Sequence, residues 1–541
     1  MKRTLTFIIA LVSLLCVQAQ LNECMRIYTD KICYLTGEGL WIKVCVTDSL
    51  YRESSLSQVA YVEVSDTKQM HAQAKIALKE GTGWGYVRFP QNMHSGTYMI
   101  TAYTRYMRNR SEKCFPKKYI AVLNTTHVIE EDEIELVDSI PTMPETRENI
   151  SSHLTTDKSV YSSRSKVKLN LPELPTDIHE LTLSVVRKDC MIPNFPLIDH
   201  YQSAPHTNSP GERFAAECEG HIVSSRLIGA TTDSIDARLA CVGQHMRIFE
   251  GKEKSDNTYF FYTTEIKDMQ DIVLTALPEK KLPCRLEIVS PFVKSLPEIL
   301  PKLHLAYEEK ELIERSIGAQ LYHILSANST QKQDITEQLY DFHPTVSYNL
   351  DEYVRFNTVR ETITEFILEV RTSKFQDKSF IRVMHKDDQH FSDLKALVLL
   401  DGIPVENHES VLNYNARLLH YIHQYSGKYT FGGKTYDGIV SLLTHKGTFP
   451  QMRLDENSQM FSYEFPQNRP TFITPEYSSE VAENLCIPDF RHTLYWNPDI
   501  TPDTKNIVFY TSDMKGTYIM TLQGITSNGK AVKFYNQFVV E

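Results

Sequence analysis

Few side chains in this sequence stand at spacings that could do chemistry. His420 and His423 lie three residues apart in Leu418-Leu-His-Tyr-Ile-His-Gln-Tyr425, a spacing that chelates a metal from one face of a helix. The segment reads as a strand, where residues three apart point to opposite faces, so chelation by the pair is disfavoured. Asp401-Gly402 has the look of an acid on a turn, and it is also the common way to reverse a strand; the turn reading is preferred. Glu130, Glu131, Asp132, Glu133 and Glu135 form a carboxylate run without the loop spacing or turn glycine of a calcium hand, and read as a solvated linker. Trp41, Trp84 and Tyr86 could stack on sugar rings, although in β proteins such residues mostly pack across strands. No Gly-x-Ser-x-Gly, His-Glu-x-x-His, phosphate loop or dinucleotide fingerprint occurs. The expectation is a protein with no catalytic residues, metal or cofactor.

The elements that would carry these residues are mainly strands, and one strand pair is nearly written twice. Arg26 to Val44 and Leu154 to Leu169 come into register when Asp30 is set on Asp157. Thr-Asp-Lys, a following tyrosine (Tyr34, Tyr161) and an alternating apolar run (Leu40, Ile42, Val44; Val167, Leu169) then coincide. Gly516-Thr-Tyr518 also echoes Gly96-Thr-Tyr98. Repeated β units suit an array of modules better than a catalytic centre.

Residues 1–19 read as a secretory signal: Lys2 and Arg3, an apolar run from Leu5 to Val17, then a small-residue cleavage site. Cys16 follows Leu15 inside that run, which argues against a lipid anchor, and no other stretch has the apolar length to span a bilayer. The chain has 57 Lys and Arg against 68 Asp and Glu, a formal charge of −11 that becomes −13 without the signal. Such acidity argues against nucleic acid or an anionic membrane surface as the main partner. Nine cysteines remain (Cys24, Cys33, Cys45, Cys114, Cys190, Cys218, Cys241, Cys284 and Cys486), an odd number without C-x-x-C spacing. Most are expected to be buried apolar side chains, with one or two disulfides allowed by export.

At 541 residues the chain needs several cores. Alternation and turn signals predict a β-sandwich over 20–128, with strands at Val59–Val64 and Gly96–Thr104 and turn glycines Gly81, Gly83 and Gly85. An acidic linker follows at 129–149, a second β module at 150–211 and a third β-sandwich at 212–300. Residues 301–350 form a helical connector, in which Leu312, Ile313, Ile317, Leu321 and Ile324 recur at helical spacing. Residues 351–450 mix strands with short helices at Val359–Phe366 and Val411–Leu419, and 451–541 form a last β module. The fold class is mainly β: tandem β-sandwiches with a small α+β domain and one amphipathic helix.

These residues resemble exported multidomain proteins of the Bacteroidetes with an N-terminal macroglobulin-type sandwich. The marks are Tyr28-Thr-Asp-Lys31, Tyr34-Leu-Thr-Gly-Glu38, Tyr61-Val-Glu63, Gly96-Thr-Tyr98, Ala102-Tyr-Thr104 and Met107-Arg-Asn109. Ala396 to Val405, with Gly427, Tyr429, Gly432 and Gly438 to Gly447, is similar to the plug domain of TonB-dependent outer-membrane receptors. About 94 residues follow Gly447, too few for a transporter barrel. Ile487 to Pro498 and Phe509 to Asp513 are similar to the C-terminal module of the same proteins. Protease-trapping macroglobulins condense a Cys and a Gln into a thioester; Cys218-Glu-Gly220 lacks the glutamine. The resemblance further implies O-glycosylation at Asp-Ser-aliphatic triplets, with Ser49, Ser139 and Ser234 as acceptors. It points to a non-enzymatic scaffold in the periplasm or at the outer membrane, binding an envelope protein, with a glycan as a lesser partner. Alternatives are a thioester-less protease inhibitor with its bait in Tyr201–Gly211, and a carbohydrate-binding or carbohydrate-active β-sandwich.

Overall fold

The computed structural model describes the chain from Glu23 to Glu541 apart from 128–133, 137–153, 175–176, 189–213, 230–233, 244, 246, 255–256, 280–282, 306–308, 328–342, 376–377, 386–389, 393, 432–433, 450–451, 478–487, 502 and 505–506. Two compact units are present: Met1–Cys218 with Phe292–Gln333 and Pro466–Glu541, and Glu219–Pro291 with Asp334–Phe465.

The first unit holds two sandwiches of one design. In the first, Cys24–Thr29, Gly39–Thr47 and Thr82–Arg88 form a three-stranded sheet. Cys33–Leu35, Lys117–Leu123, Gly96–Thr104, Val59–Ser65 and Met70–Ala77 form, in that spatial order, the facing five-stranded sheet. In the second, Thr155–Thr156, Lys166–Asn170 and Ile507–Tyr510 make the small sheet. Val160–Tyr161, Ala531–Val540, Gly516–Thr526, Ile178–Arg187 and Thr493–Asn497 make the large one. Each large sheet contains one parallel pair, between a short early strand and the last strand of its sandwich. This is an immunoglobulin-like arrangement twice over.

The segments expected as a second module (150–211) and a last module (451–541) therefore share both sheets of a single sandwich. Its fourth strand ends at Arg187 and its fifth begins at Thr493, so roughly 300 residues stand where the first sandwich has the turn Asp66–Gln69. Ser458–Glu464, also from the expected last module, pairs with Met269–Pro278 in the second unit. Within the expected linker, Ile134–Leu136 pairs in parallel with Leu303–Leu305. Each segment shows its own alternation in sequence, but the partner across the ladder is set by tertiary packing.

Several strands depart from simple alternation because both their faces are covered. Leu40, Ile42 and Val44 face the first core. On the opposite face Lys43 is also buried, its ammonium donating to Leu181 O and Pro498 O. Val59–Ser65 and Gly96–Thr104 are buried throughout. The Tyr61 hydroxyl donates to Glu217 (2.8 Å), and Tyr103 Oη accepts from Val293 N (2.8 Å). Gly83 and Gly85, expected in a turn, lie within Thr82–Arg88. A Cβ on Gly85 would stand 2.6 Å from Gln467 Oε1, so glycine here admits the crossing segment.

The helix Glu309–Ala327 forms where the periodicity places it, with a different inner face. Leu312 and Ala319 pack on Cys33, Leu35, Leu123 and Leu303, Arg315 is 3% exposed, and Ile313 and Ile317 are about half exposed. Arg315 turns inward because buried acceptors await it, as shown below.

In the second unit a seven-stranded sheet folds over on itself at Ile248–Glu253, which pairs with Ile235–Cys241 through its first half and Thr258–Thr263 through its second. The α+β part carries a five-stranded sheet in which Leu397–Leu400 runs parallel to Lys434–Thr444. Val359–Phe366 begins with a capping box between Thr358 and Glu361. The helix expected over Val411–Leu419 is instead His408–Leu412, capped by Asn407, followed by a 3-10 turn at Ala416–Leu418. No described helix is long and apolar enough to cross a membrane.

If the second sandwich is a closed domain, a chain that joins its two halves directly, without the intervening segment, folds alone. Residues 154–187 linked to 493–541 through a copy of Asp66–Gln69 are expected to give a β-type circular dichroism spectrum and one cooperative thermal transition; an unfolded product would show that the sandwich needs the inserted residues.

Candidate functional site

The repeated Thr-Asp-Lys segment builds the same turn in both sandwiches. Asp30 Oδ1 accepts from Tyr34 Oη (2.8 Å) and Trp41 N (3.2 Å); Asp157 Oδ1 accepts from Tyr161 Oη (2.7 Å) and Lys168 N (2.8 Å). The main chain repeats the match, Asp30 N donating to Trp41 O and Asp157 N to Lys168 O. The Gly-Thr-Tyr echo is equally structural. Tyr98 Oη donates to His94 O and Tyr518 Oη to Met514 O, each at 2.8 Å. These are tyrosine corners, which fix where one strand enters its sheet.

Only the first copy goes further. The other oxygen of Asp30 accepts from Lys31 Nζ (3.3 Å) and Thr493 Oγ1 (3.1 Å). Lys31 also reaches Glu38 (3.5 Å), and Arg315 donates to Glu38 (3.1 Å) and to Cys33 O (2.9 Å). Burial opposes charge on Lys31, yet the Asp30 and Glu38 carboxylates hold its pKa above the ordinary lysine value. Burial likewise opposes charge on Glu38, and Arg315 and Lys31 hold its carboxyl below the ordinary range. Tyr34 is pushed well up by burial and then by Asp30, so it stays a donor. His492 is 9% exposed; burial, with Arg315, Lys31 and Arg187 nearby, keeps its imidazole neutral. Its Nδ1 is buried without a hydrogen-bond partner among the described residues.

This charge cluster floors a cleft of about 90 Å³. One wall is aromatic. Trp41 lies 5.0 Å from Tyr86 and 5.3 Å from Phe472, ring centre to ring centre, and Phe490 packs against Gly318 of the helix. Tyr86 can lie flat over the neighbouring strand because residue 39 is glycine; a Cβ there would fall 1.9 Å from the ring. The rim carries Arg88, which is exposed and has no ion-pair partner among the described residues, and Ile473, 72% exposed. Four basic residues (Lys31, Arg88, Arg315, Arg491) and two acidic ones (Asp30, Glu38) line it. Arg491 is paired to Asp489 outside the lining.

The residues singled out from sequence do not converge on one place. His420 stacks on His445 (5.0 Å), and both reach Asp351, whereas His423 contacts Tyr421 and Tyr425. Among the described residues no group of three His, Cys, Asp or Glu is placed to hold a metal. Asp401 (φ 44°) and Gly402 (φ 81°) form a hairpin turn, and Asp401 is fully buried, accepting from Thr444 N, Thr444 Oγ1 and Phe449 N. Of the carboxylate run only Glu135 is described, 3.5 Å from His304. Trp84 donates to Pro470 O and lies under Arg469, apart from the Trp41 and Tyr86 contact. Ser49 and Ser234 are exposed; Ser139 and the Tyr201–Gly211 loop lie outside the described residues. Cys24, Cys45, Cys114, Cys241 and Cys284 are free thiols, with Cys241 pushed up to about 12 by burial. Arg88 and Arg315 go unnoticed in the sequence because no motif surrounds them, and His492 lies within Ile487 to Pro498, a stretch that marks a resemblance without assigning the histidine a role.

No protein-family model matches the chain, and no curated protein matches it. Among solved structures it is similar to a trypsin-activated alpha-2-macroglobulin from Escherichia coli, at 8% identity over 96% of this chain and 42% of that one, TM-score 0.23. The Escherichia coli alpha-2-macroglobulin activated by porcine elastase gives 9% over 96% and 44%, TM-score 0.24. The Escherichia coli adhesin FdeC gives 8% over 52% and 63%, TM-score 0.16. The chain thus spans less than two thirds of each, and at these TM-scores the likenesses carry no functional argument.

Two measurements test the charge cluster. Asp30→Ala leaves Lys31 with one buried partner fewer and is expected to destabilise the first unit by about 3–5 kcal/mol in urea unfolding. Asp157→Ala, at an exposed copy of the turn, should cost no more than about 1.5 kcal/mol; equal losses would contradict the distinction. Because the Glu38 carboxyl is held below its ordinary 4.5, its stabilisation is present above that pH and is lost as pH falls through the folded-state value. Stability of Glu38→Gln should be lower at neutral pH and should fall less between pH 5 and 3 than that of the parent, measured by the urea midpoint at each pH.

Proposed function

We propose that this chain is a non-enzymatic, exported protein-binding scaffold of the cell envelope, and that the cleft beside Asp30 is its contact point. One observation carries the reading: both carboxylates of the cleft are already committed to cations and hydrogen-bond donors, while the groups left available at its rim are a guanidinium and apolar side chains. Such a site lacks a free carboxyl group, holds the imidazole of His492 neutral and shielded from water, and retains what a protein interface uses, an apolar anchor point beside a charge. The cleft is also far below the several hundred Å³ typical of cofactor sites. A sugar platform is disfavoured, since Trp41 and Tyr86 meet at 52° and Phe472 closes on Trp41 edge-on. The plug-like resemblance of 351–450 and the signal-like start support the envelope setting.

The test is site-specific photocrosslinking in the native cell. A photoreactive residue at Ile473 is expected to yield one recurring envelope-protein adduct, absent when the same group replaces Val508, exposed in the second sandwich. Adducts no different from the control would refute the proposal.

A further inference from the structure

We infer that the cleft takes one apolar or aromatic side chain of an acidic peptide segment, with the carboxylate next to that side chain pairing to Arg88. This rests on the protein-binding reading and names the partner's chemistry. A volume of about 90 Å³ admits one side chain, and the wall offered to it is the ring group Trp41, Tyr86 and Phe472. Basic residues outnumber acidic ones in the lining of a protein whose overall formal charge is −11, so the excess is local. Asp30 and Glu38 are matched by Lys31, Arg315 and Thr493, and Arg491 by Asp489. The charge left without a counterpart among the described residues is Arg88. Its planar fork suits a carboxylate bound through two parallel hydrogen bonds. His492, nine-tenths buried in the same lining, leaves Nδ1 without a partner among the described residues, but that nitrogen is shielded from solvent and adds no contact for the segment. Aromatic wall, single-residue volume and uncompensated guanidinium thus describe one ligand: a hydrophobic residue flanked by Asp or Glu.

The experiment uses the full mature chain over immobilised peptides in surface plasmon resonance. The probes are Gly-Gly-Phe-Glu-Gly-Gly, its Phe→Ala form and its Glu→Gln form, each blocked at both ends. The Phe-Glu peptide is expected to bind saturably, at least tenfold more tightly than either substituted peptide. Arg88→Gln should weaken the Phe-Glu peptide at least tenfold and leave the Glu→Gln peptide unchanged, a coupling that a merely structural arginine would not give. Equal binding of the Glu and Gln peptides, an Arg88→Gln effect on both alike, or no binding at all overturns the inference. Because the Ile473 crosslink needs no assumption about the ligand's chemistry, a partner recovered there with no peptide preference removes this inference alone; failure of both removes the protein-binding reading as well.

Discussion

The Asp30 carboxylate is the point on which the first unit turns. Completely shielded from water, it takes hydrogen bonds from Tyr34, the Trp41 main chain, Lys31 and Thr493. A buried carboxylate is costly unless its lone pairs are filled, and here the fillers come from both sandwiches, since Thr493 begins the fifth strand of the second. Lys31 and Glu38 then extend the pairing to Arg315, which draws the helix Glu309–Ala327 onto the same edge. The turn that shapes one sandwich also joins it to the other and to the helix. Electrostatic pairing specifies the fit; the apolar cores supply the bulk of the burial, each enclosed Val, Leu or Ile contributing about 1.5–3 kcal/mol.

The interrupted second sandwich sets the order of events in folding. Its strands up to Arg187 have no ladder partners in Thr493–Asn497, Gly516–Thr526 or Ala531–Val540 until the end of the chain is available. The first sandwich closes within Cys24–Leu123 and can form early. Long loops raise the entropic cost of closure only slowly, which makes such an insertion tolerable once the inserted residues have structure of their own. It also makes the contacts non-local, and slow assembly is the expected result.

How much of this is legible in the sequence depends on whether a signal is local. The Asp30 and Asp157 turns, and the Gly96 and Gly516 corners, are visible as repeats because each motif closes hydrogen bonds within a few residues. That the Asp157 and Gly516 elements belong to one sandwich is not, because nothing in either segment records its partner across the sheet. Alternation fades along Val59–Ser65 for a related reason: Phe292, Val293 and Glu217 cover a face that an isolated sandwich would expose to water. Periodicity alone puts Ile313 and Ile317 on the inner stripe of the helix, yet Arg315 takes the interior because Glu38 and Cys33 O offer it acceptors. Arg88 matters through what does not pair with it, and an absent partner leaves no trace in sequence.

The place of the insertion has a mechanical consequence. Ile178–Arg187 and Thr493–Asn497 are antiparallel neighbours, and the intervening residues leave from the end of one and re-enter at the start of the other. Tension applied through those residues would load the two strands at adjoining ends, breaking their ladder one hydrogen bond at a time rather than shearing all of them together. A pull along the chain ends would instead load Val160–Tyr161 against the parallel strand Ala531–Val540, where the bonds share the force. The same sandwich is therefore compliant toward what it carries and resistant along its own length.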